Sequence, residues 1–111
     1  MPMIEFVNDT LANGVGVIRP IGRLNMVSAP HLGANIEALI NEGTVRLVVD
    51  LSGTDFIDSS GLGALITGLK KSRQAGGDLR LANPTPQITA VLEMTNLNRV
   101  LQPVPSVEEA Y

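Results

Sequence analysis

The chain lacks cysteine and tryptophan and contains one tyrosine, two phenylalanines and one histidine among its 111 residues. Without cysteine it can form no disulfide and offers no thiolate to a metal or a substrate, which favours a reducing compartment, so we expect the cytoplasm. Few aromatic rings and a formal net charge of −3 leave no stacking platform and no basic groove for a nucleic acid. We therefore expect no direct contact with nucleic acid and a core of aliphatic side chains.

Long apolar runs are also absent. No segment approaches the roughly 20 apolar residues that a membrane-spanning helix needs, and the N-terminal MPMIEFVNDT has no basic segment followed by an apolar one. The sequence thus predicts neither a membrane span nor a signal peptide. A length of 111 residues suits one core, so residues 1–111 are interpreted as a single domain.

The spacing of apolar residues predicts alternating strands and helices. Strands are predicted from Ile4 to Val7, Val15 to Ile21, Val45 to Leu51 and Leu79 to Leu81, and helices after Ser28, after Asp58 or Ser59, and after Asn83 or Thr85. Asn13-Gly14 predicts the turn of an opening hairpin. Pro20 places the second strand at an edge or near its end, because proline cannot donate to a ladder. The almost wholly apolar Val45 to Leu51 is typical of a central parallel strand.

The last residues add two short elements. Val100 to Val104 is an edge strand at most, because Pro103 interrupts it, and Ser106 to Glu109 matches a capping box that would begin a brief helix. Together the elements predict an α/β domain with a mixed sheet of four or five strands and helices packed mainly on one face.

The segment FIDSSGLGAL carries more polar and small residues than a plain connection needs. Asp58 or Ser59 can cap the second helix, which leaves Ser60 in the first turn with its hydroxyl towards solvent. A phosphate there would meet free N–H groups and the positive end of the helix dipole. Gly61 and Gly63 would let another protein surface approach the backbone. Capping alone also explains the pattern, so both interpretations stay open.

Other chemistries fit the sequence less well. GALITGLKKS departs from a phosphate-binding loop, because leucine stands where the motif needs lysine, and no pair of glycines flanks Ser60 as a nucleophile elbow requires. A hydrolase would need His31 to meet Ser60 in space, which is an open alternative. Asp50, Asp55 and Asp58 are better explained as strand-end and capping acids than as metal ligands or phospho-acceptors. We therefore predict no catalytic residue, no metal site and no cofactor.

The run LVVDLSGTDFIDSSGLGALI resembles the signature of the STAS domain of bacterial anti-sigma factor antagonists, also called anti-anti-sigma factors. GRLNMVSAPHL, AGGDLRLANP, VLEMTNLNRVL and PSVEEA are similar to the family's other segments, so the resemblance extends over nearly the whole chain. It implies a single STAS-like domain that acts as a regulator and not as an enzyme.

The resemblance further implies a partner switch. Such proteins bind an anti-sigma factor with serine kinase activity and thereby release a sigma factor; the kinase phosphorylates the serine before Gly-Leu-Gly, here Ser60, and a PP2C-type phosphatase reverses the reaction. The partner-binding residues expected from the motif and the neighbouring loop are Asn25, Met26, Ser28, Asp58, Ser59, Ser60, Gly61, Leu62 and Gly63.

One position departs from the family pattern. Asn25 stands where the family usually has aspartate, so a carboxylate is missing beside the expected phospho-acceptor. The resemblance therefore also allows a STAS regulatory module of another partner-switching system, such as a stressosome-like or transporter-associated one.

Overall fold

The computed structural model describes residues 5–111 and contains, within that range, five strands and four helices. The strands are β1 (Glu5–Thr10), β2 (Gly16–Leu24), β3 (Arg46–Asp50), β4 (Thr54–Ile57) and β5 (Asp78–Ala82), and the helices are α1 (Ala29–Asn41), α2 (Ser59–Gln74), α3 (Pro86–Met94) and α4 (Asn98–Leu101). The predicted hairpin, three main helices and two later strands are confirmed. Ile4, the predicted start of the first strand, lies outside the described residues.

The sheet is mixed, as the apolar pattern predicts. Its order is β1-β2-β3-β5, and β4 pairs separately with β2. The opening hairpin is antiparallel, whereas the other pairs are parallel. Gly14 has a φ of 85° in the hairpin turn, a conformation that glycine adopts without steric cost. The predicted central position of β3 is confirmed, because it lies between β2 and β5.

Pro20 does not mark an edge, and this prediction is wrong. β2 pairs with β1 on one side; on the other, residues 16–18 pair with β3 and residues 22–24 pair with β4. Pro20 lies between the segment that pairs with β3 and the segment that pairs with β4. Proline has no backbone N–H, but no hydrogen bond to a neighbouring strand is needed at this point on that side. Its carbonyl oxygen accepts a hydrogen bond of 2.7 Å from the buried Thr54 hydroxyl, which ties the start of β4 to β2.

The two faces of the sheet are covered differently. One face packs against the helices through a cluster of buried aliphatic side chains, which includes Val49 of β3 and, from the helices, Leu32, Ile36, Leu65, Leu69 and Leu92. On the opposite face, Val17, Val48 and Ala82 pack against Val107 and Ala110 of the C-terminal segment. Helices therefore lie on one face, as predicted. Within residues 5–111, no helix has both the length and the apolar character needed to cross a bilayer.

The C-terminal segment differs from its prediction. Val100 lies in α4, and only Val104 forms a parallel bridge, to Ala82. Residues 106–109 form a turn and not a helix. The Ser106 hydroxyl donates to the Glu109 carboxylate at 3.2 Å, whereas in a capping box it would accept from a backbone N–H.

Tyr111 anchors this segment to the sheet. Its hydroxyl donates a 2.9 Å hydrogen bond to the carbonyl of Leu47, and the Arg80 guanidinium lies 4.4 Å from the ring centroid. Burial and the nearby Asp78 carboxylate raise the pKa of Tyr111 to about 12, so the phenol stays protonated and keeps donating.

Asp50, at the end of β3, is the centre of a buried polar cluster. Its carboxylate accepts hydrogen bonds from Arg19 Nε at 2.8 Å, Asn83 Nδ2 at 3.0 Å and the Ser52 N–H at 3.0 Å. Burial alone would raise the pKa of Asp50, but these hydrogen bonds outweigh it and hold the pKa below its ordinary value. The acid that the sequence suggests as a strand-end residue is therefore structural, and it fixes the turn that leads into β4.

Replacing this carboxylate should cost stability in a pH-dependent way. We expect Asp50→Asn to lower the free energy of unfolding at pH 7 by about 1–3 kcal/mol, because it weakens three partly buried hydrogen bonds to a buried carboxylate. Since the folded-state pKa is lowered, the charged form contributes stability above its unfolded pKa and loses it as pH falls through the folded pKa. The difference between wild type and variant, measured by urea denaturation, should shrink from about pH 5 towards pH 2. A difference independent of pH would contradict this account.

Candidate functional site

The start of α2 has a defined cap. The side chain of Asp58 accepts a 3.0 Å hydrogen bond from the N–H of Gly61, and its carbonyl accepts one of 3.0 Å from Leu62. Of the two predicted caps, Asp58 therefore has the role, and Ser59 is the first helical residue. In residues 5–111 the N–H groups of Ser59 and Ser60 have no acceptor, so two donors point out of the helix end.

The Ser60 hydroxyl is accessible. The residue is half-buried, and its oxygen makes no hydrogen bond to any residue of the described range. No buried side-chain oxygen or nitrogen in that range lacks a hydrogen-bond partner, so this oxygen must touch solvent. Modifying it would therefore break no hydrogen bond of the hydroxyl within residues 5–111.

Ser60 lines an open groove of about 330 Å³ between the start of α1 and α2. The lining residues are Met26, Ala29, Pro30, Gly33, Ser60, Gly63, Ala64 and Thr67. None of them carries a charge. One helical turn beyond this lining, Lys71 Nζ and the Glu37 carboxylate join the two helices at 3.2 Å.

The loop before α1 presents two apolar side chains next to this groove. Asn25 Oδ1 accepts hydrogen bonds from the N–H groups of Val27 at 3.0 Å and Ser28 at 3.2 Å. The Ser28 hydroxyl accepts from the Asn25 N–H at 3.0 Å and donates to the carbonyl of Arg23 at 2.6 Å. This tight turn leaves Met26 and Val27 73% and 74% exposed, a large apolar exposure for one short loop.

Three of the residues predicted to contact a partner are buried. Ser28 is 4% and Leu62 7% exposed, and Gly61 is buried as well. A Cβ on Gly61 would lie 2.5 Å from the carbonyl oxygen of Leu24, so the packing of α2 against β2 requires glycine at this position. Gly63 differs, because a Cβ there would meet nothing within 4 Å.

The other sequence candidates are separate from the groove. His31 is exposed and is not among the lining residues, and no hydrogen bond joins it to Ser60. Asp55 is exposed, Asp58 caps α2 and Asp50 is engaged in its own cluster. Over the range 5–111 no group of three or more histidines and acids is placed to hold a metal ion.

Sequence reasoning missed the α1 wall of the groove. It places Ala29, Pro30 and Gly33 in a helix and gives them no further role, although a glycine inside an amphipathic pattern is an unusual choice there. The sequence shows the glycine, but it does not show which helix lies opposite it, because that depends on tertiary packing.

Comparison with known proteins identifies relatives over most of the chain. A family model described as the STAS domain matches residues 7–110. A Lysinibacillus sphaericus protein named anti-sigma F factor antagonist is 33% identical over 95 residues, which cover 85% of this chain and 81% of that protein. The crystal structure of an anti-sigma factor antagonist from Mycobacterium paratuberculosis has a TM-score of 0.86 at 27% identity, covering 97% and 91% of the two chains. The phosphorylated form of the Bacillus cell fate determinant SpoIIAA, 24% identical with a TM-score of 0.73 over 96% of each chain, shares the fold.

The two glycines of the motif should respond oppositely to alanine. Gly61→Ala should lower the free energy of unfolding by about 1–3 kcal/mol, because its methyl group would collide with Leu24 and Ile57. Gly63→Ala should leave that free energy unchanged or raise it by up to about 1 kcal/mol, because alanine favours a helix and the space is open. Denaturant unfolding of both variants checks this. Equal effects would contradict the packing assigned to Gly61.

Proposed function

The chain belongs to the STAS domain family, and on that premise we propose that it is an anti-sigma factor antagonist. It binds an anti-sigma factor that is also a serine kinase and so frees a sigma factor. Phosphorylation of Ser60 ends the binding, and a PP2C-type phosphatase restores it. The observation that carries the proposal is the accessible Ser60 hydroxyl at the start of α2, in the wall of an uncharged groove.

The helix start suits a removable phosphate. Phosphorylation adds about −1.5 to −2 charges and three acceptor oxygens, and the free N–H groups of Ser59 and Ser60 are donors beside it. The positive end of the helix dipole further favours an anion there. Because the Ser60 hydroxyl has no hydrogen bond to lose within residues 5–111, the modified chain keeps its fold.

The phosphate should affect the binding of a partner, although it leaves the fold intact. The contact surface that we propose comprises the accessible members of the sequence-derived set: Asn25, Met26, Asp58, Ser59, Ser60 and Gly63. The buried Ser28, Gly61 and Leu62 support this surface from beneath. A dianion in the centre of the surface must be desolvated when a partner covers it, and an uncharged groove offers no cation to compensate. Phosphorylation therefore weakens binding without unfolding the antagonist.

Asn25 modifies this switch. Its side-chain oxygen is engaged with the backbone of its own turn, while its amide nitrogen makes no hydrogen bond to the rest of residues 5–111. Compared with the aspartate usual in the family, asparagine repels a neighbouring phosphate less. We infer that the electrostatic penalty of the phosphorylated form is smaller in this chain, so the strength of the switch differs from the family norm.

Anti-sigma factor antagonists regulate other proteins by binding them and do not catalyse a reaction. In this proposal we therefore assign the chain no enzymatic activity and no cofactor. Its partners are proteins, and the site of action is the cytoplasm.

The test is phosphorylation of the purified protein by candidate anti-sigma kinases of the same organism with ATP, with the phosphate located by mass spectrometry. Wild type should gain one phosphate on Ser60, and Ser60→Ala should gain none, because the acceptor hydroxyl is gone. Ser60→Ala should still bind the kinase, since the groove keeps its shape.

The matched control is Ser59→Ala, which removes the adjacent, more exposed hydroxyl. It should still gain one phosphate on Ser60, because the acceptor hydroxyl is unchanged, even where the loss of a contact-surface side chain lowers its affinity for the kinase. If Ser60→Ala were phosphorylated as readily as wild type, the acceptor would be misassigned. If no candidate kinase bound the wild-type protein, the proposed function would fail.

A further inference from the structure

The glycines within the helices fall into two groups. A Cβ on Gly61 would lie 2.5 Å from the Leu24 carbonyl, and one on Gly68 would lie 2.7 Å from Ile36 Cδ1, so internal packing requires both to be small. A Cβ on Gly33 or Gly63 would meet nothing within 4 Å. Glycine is less favourable than alanine inside a helix, and the packing of this domain gives these two positions no compensation.

Gly33 and Gly63 face the same groove from its two walls. The groove extends along α2 from Ser60 to Thr67, about 10 Å at the 1.5 Å rise of a helix. Its lining is uncharged, and Met26 at its end is 73% exposed. An uncharged hollow with small residues on both walls admits apolar side chains to close contact with the helix backbones.

We propose that α1 forms half of the docking site and that the groove receives an uncharged apolar segment of the anti-sigma factor. This inference rests on the proposed function. The anti-sigma factor is the expected occupant because Ser60 and Gly33 line the same groove. A partner that responds to phosphorylation of Ser60 must cover Ser60, and it therefore also lies over this groove. The absence of charge in the lining selects an apolar segment over an acidic or basic one.

The arrangement makes Gly33 a specificity-determining residue. A Cβ at this position meets nothing within 4 Å, so a longer side chain would extend into the groove from the α1 side. The side chain would then exclude the partner segment from the groove sterically, so binding would be lost whether or not Ser60 is phosphorylated.

The experiment measures the affinity of the unphosphorylated chain for the anti-sigma factor that binds wild type, by titration calorimetry. Gly33→Leu should raise Kd at least tenfold, whereas its thermal melting temperature should equal or exceed that of wild type. Gly33→Ala, with one methyl group, should have a smaller effect. The matched control is Ala38→Leu, which places the same side chain on an exposed position of α1 that does not line the groove and should leave Kd unchanged.

The outcomes separate the inference from the function on which it rests. Wild-type affinity in Gly33→Leu would overturn the α1 docking site while leaving the antagonist function intact. If wild type bound none of the candidate anti-sigma factors, no such titration would be possible, and both the inference and the proposed function would be overturned. If Gly33→Leu abolished self-association in sedimentation and left anti-sigma binding unchanged, the occupant would be a second copy of this chain and the proposal would be wrong.

Discussion

The close approach of α2 to the end of β2 is the contact on which the site depends. Gly61 lies against the carbonyl of Leu24 so tightly that no side chain fits between them, and the N–H of Asp58 bonds that same carbonyl at 3.2 Å. With the helix start held there and its third residue capped by Asp58, the second residue, Ser60, must turn towards α1. The position of the hydroxyl is thus a consequence of packing, and it needs no interaction of its own.

That arrangement separates Ser60, the proposed phospho-acceptor, from the groups that stabilise the fold. The core cluster lies beneath the helices, and the opposite face of the sheet is closed by the C-terminal segment through Val107, Ala110 and Tyr111. The buried charge, Asp50, is satisfied by its own three donors on the far side of the sheet from the groove. Under the proposed function, a charge added at Ser60 therefore alters what can dock on the domain, while the free energy of folding is set by groups elsewhere.

Much of the fold and of the site around Ser60 could be predicted from residues that are close together in the sequence. The apolar period of α2, its acidic cap and the following glycines all lie within one short segment, so the accessible serine could be predicted from neighbouring residues. The signals that failed involve distant ones. β4 is short and pairs with β2, so nothing within Thr54–Ile57 reveals it, and Pro20 looked like an edge residue because the change of partner strand is a tertiary event. Gly61 and Gly63 look alike in sequence, yet only the structure distinguishes an internal close approach from an open surface.

The most direct test of the central claim is a paired measurement on Ser60→Asp, which adds a negative charge where phosphate would be. Its free energy of unfolding should remain within about 0.5 kcal/mol of wild type, as for a surface substitution. Its affinity for the anti-sigma factor should fall at least tenfold, about 1.4 kcal/mol. Wild-type affinity in a normally folded Ser60→Asp, or loss of the fold itself, would contradict the account.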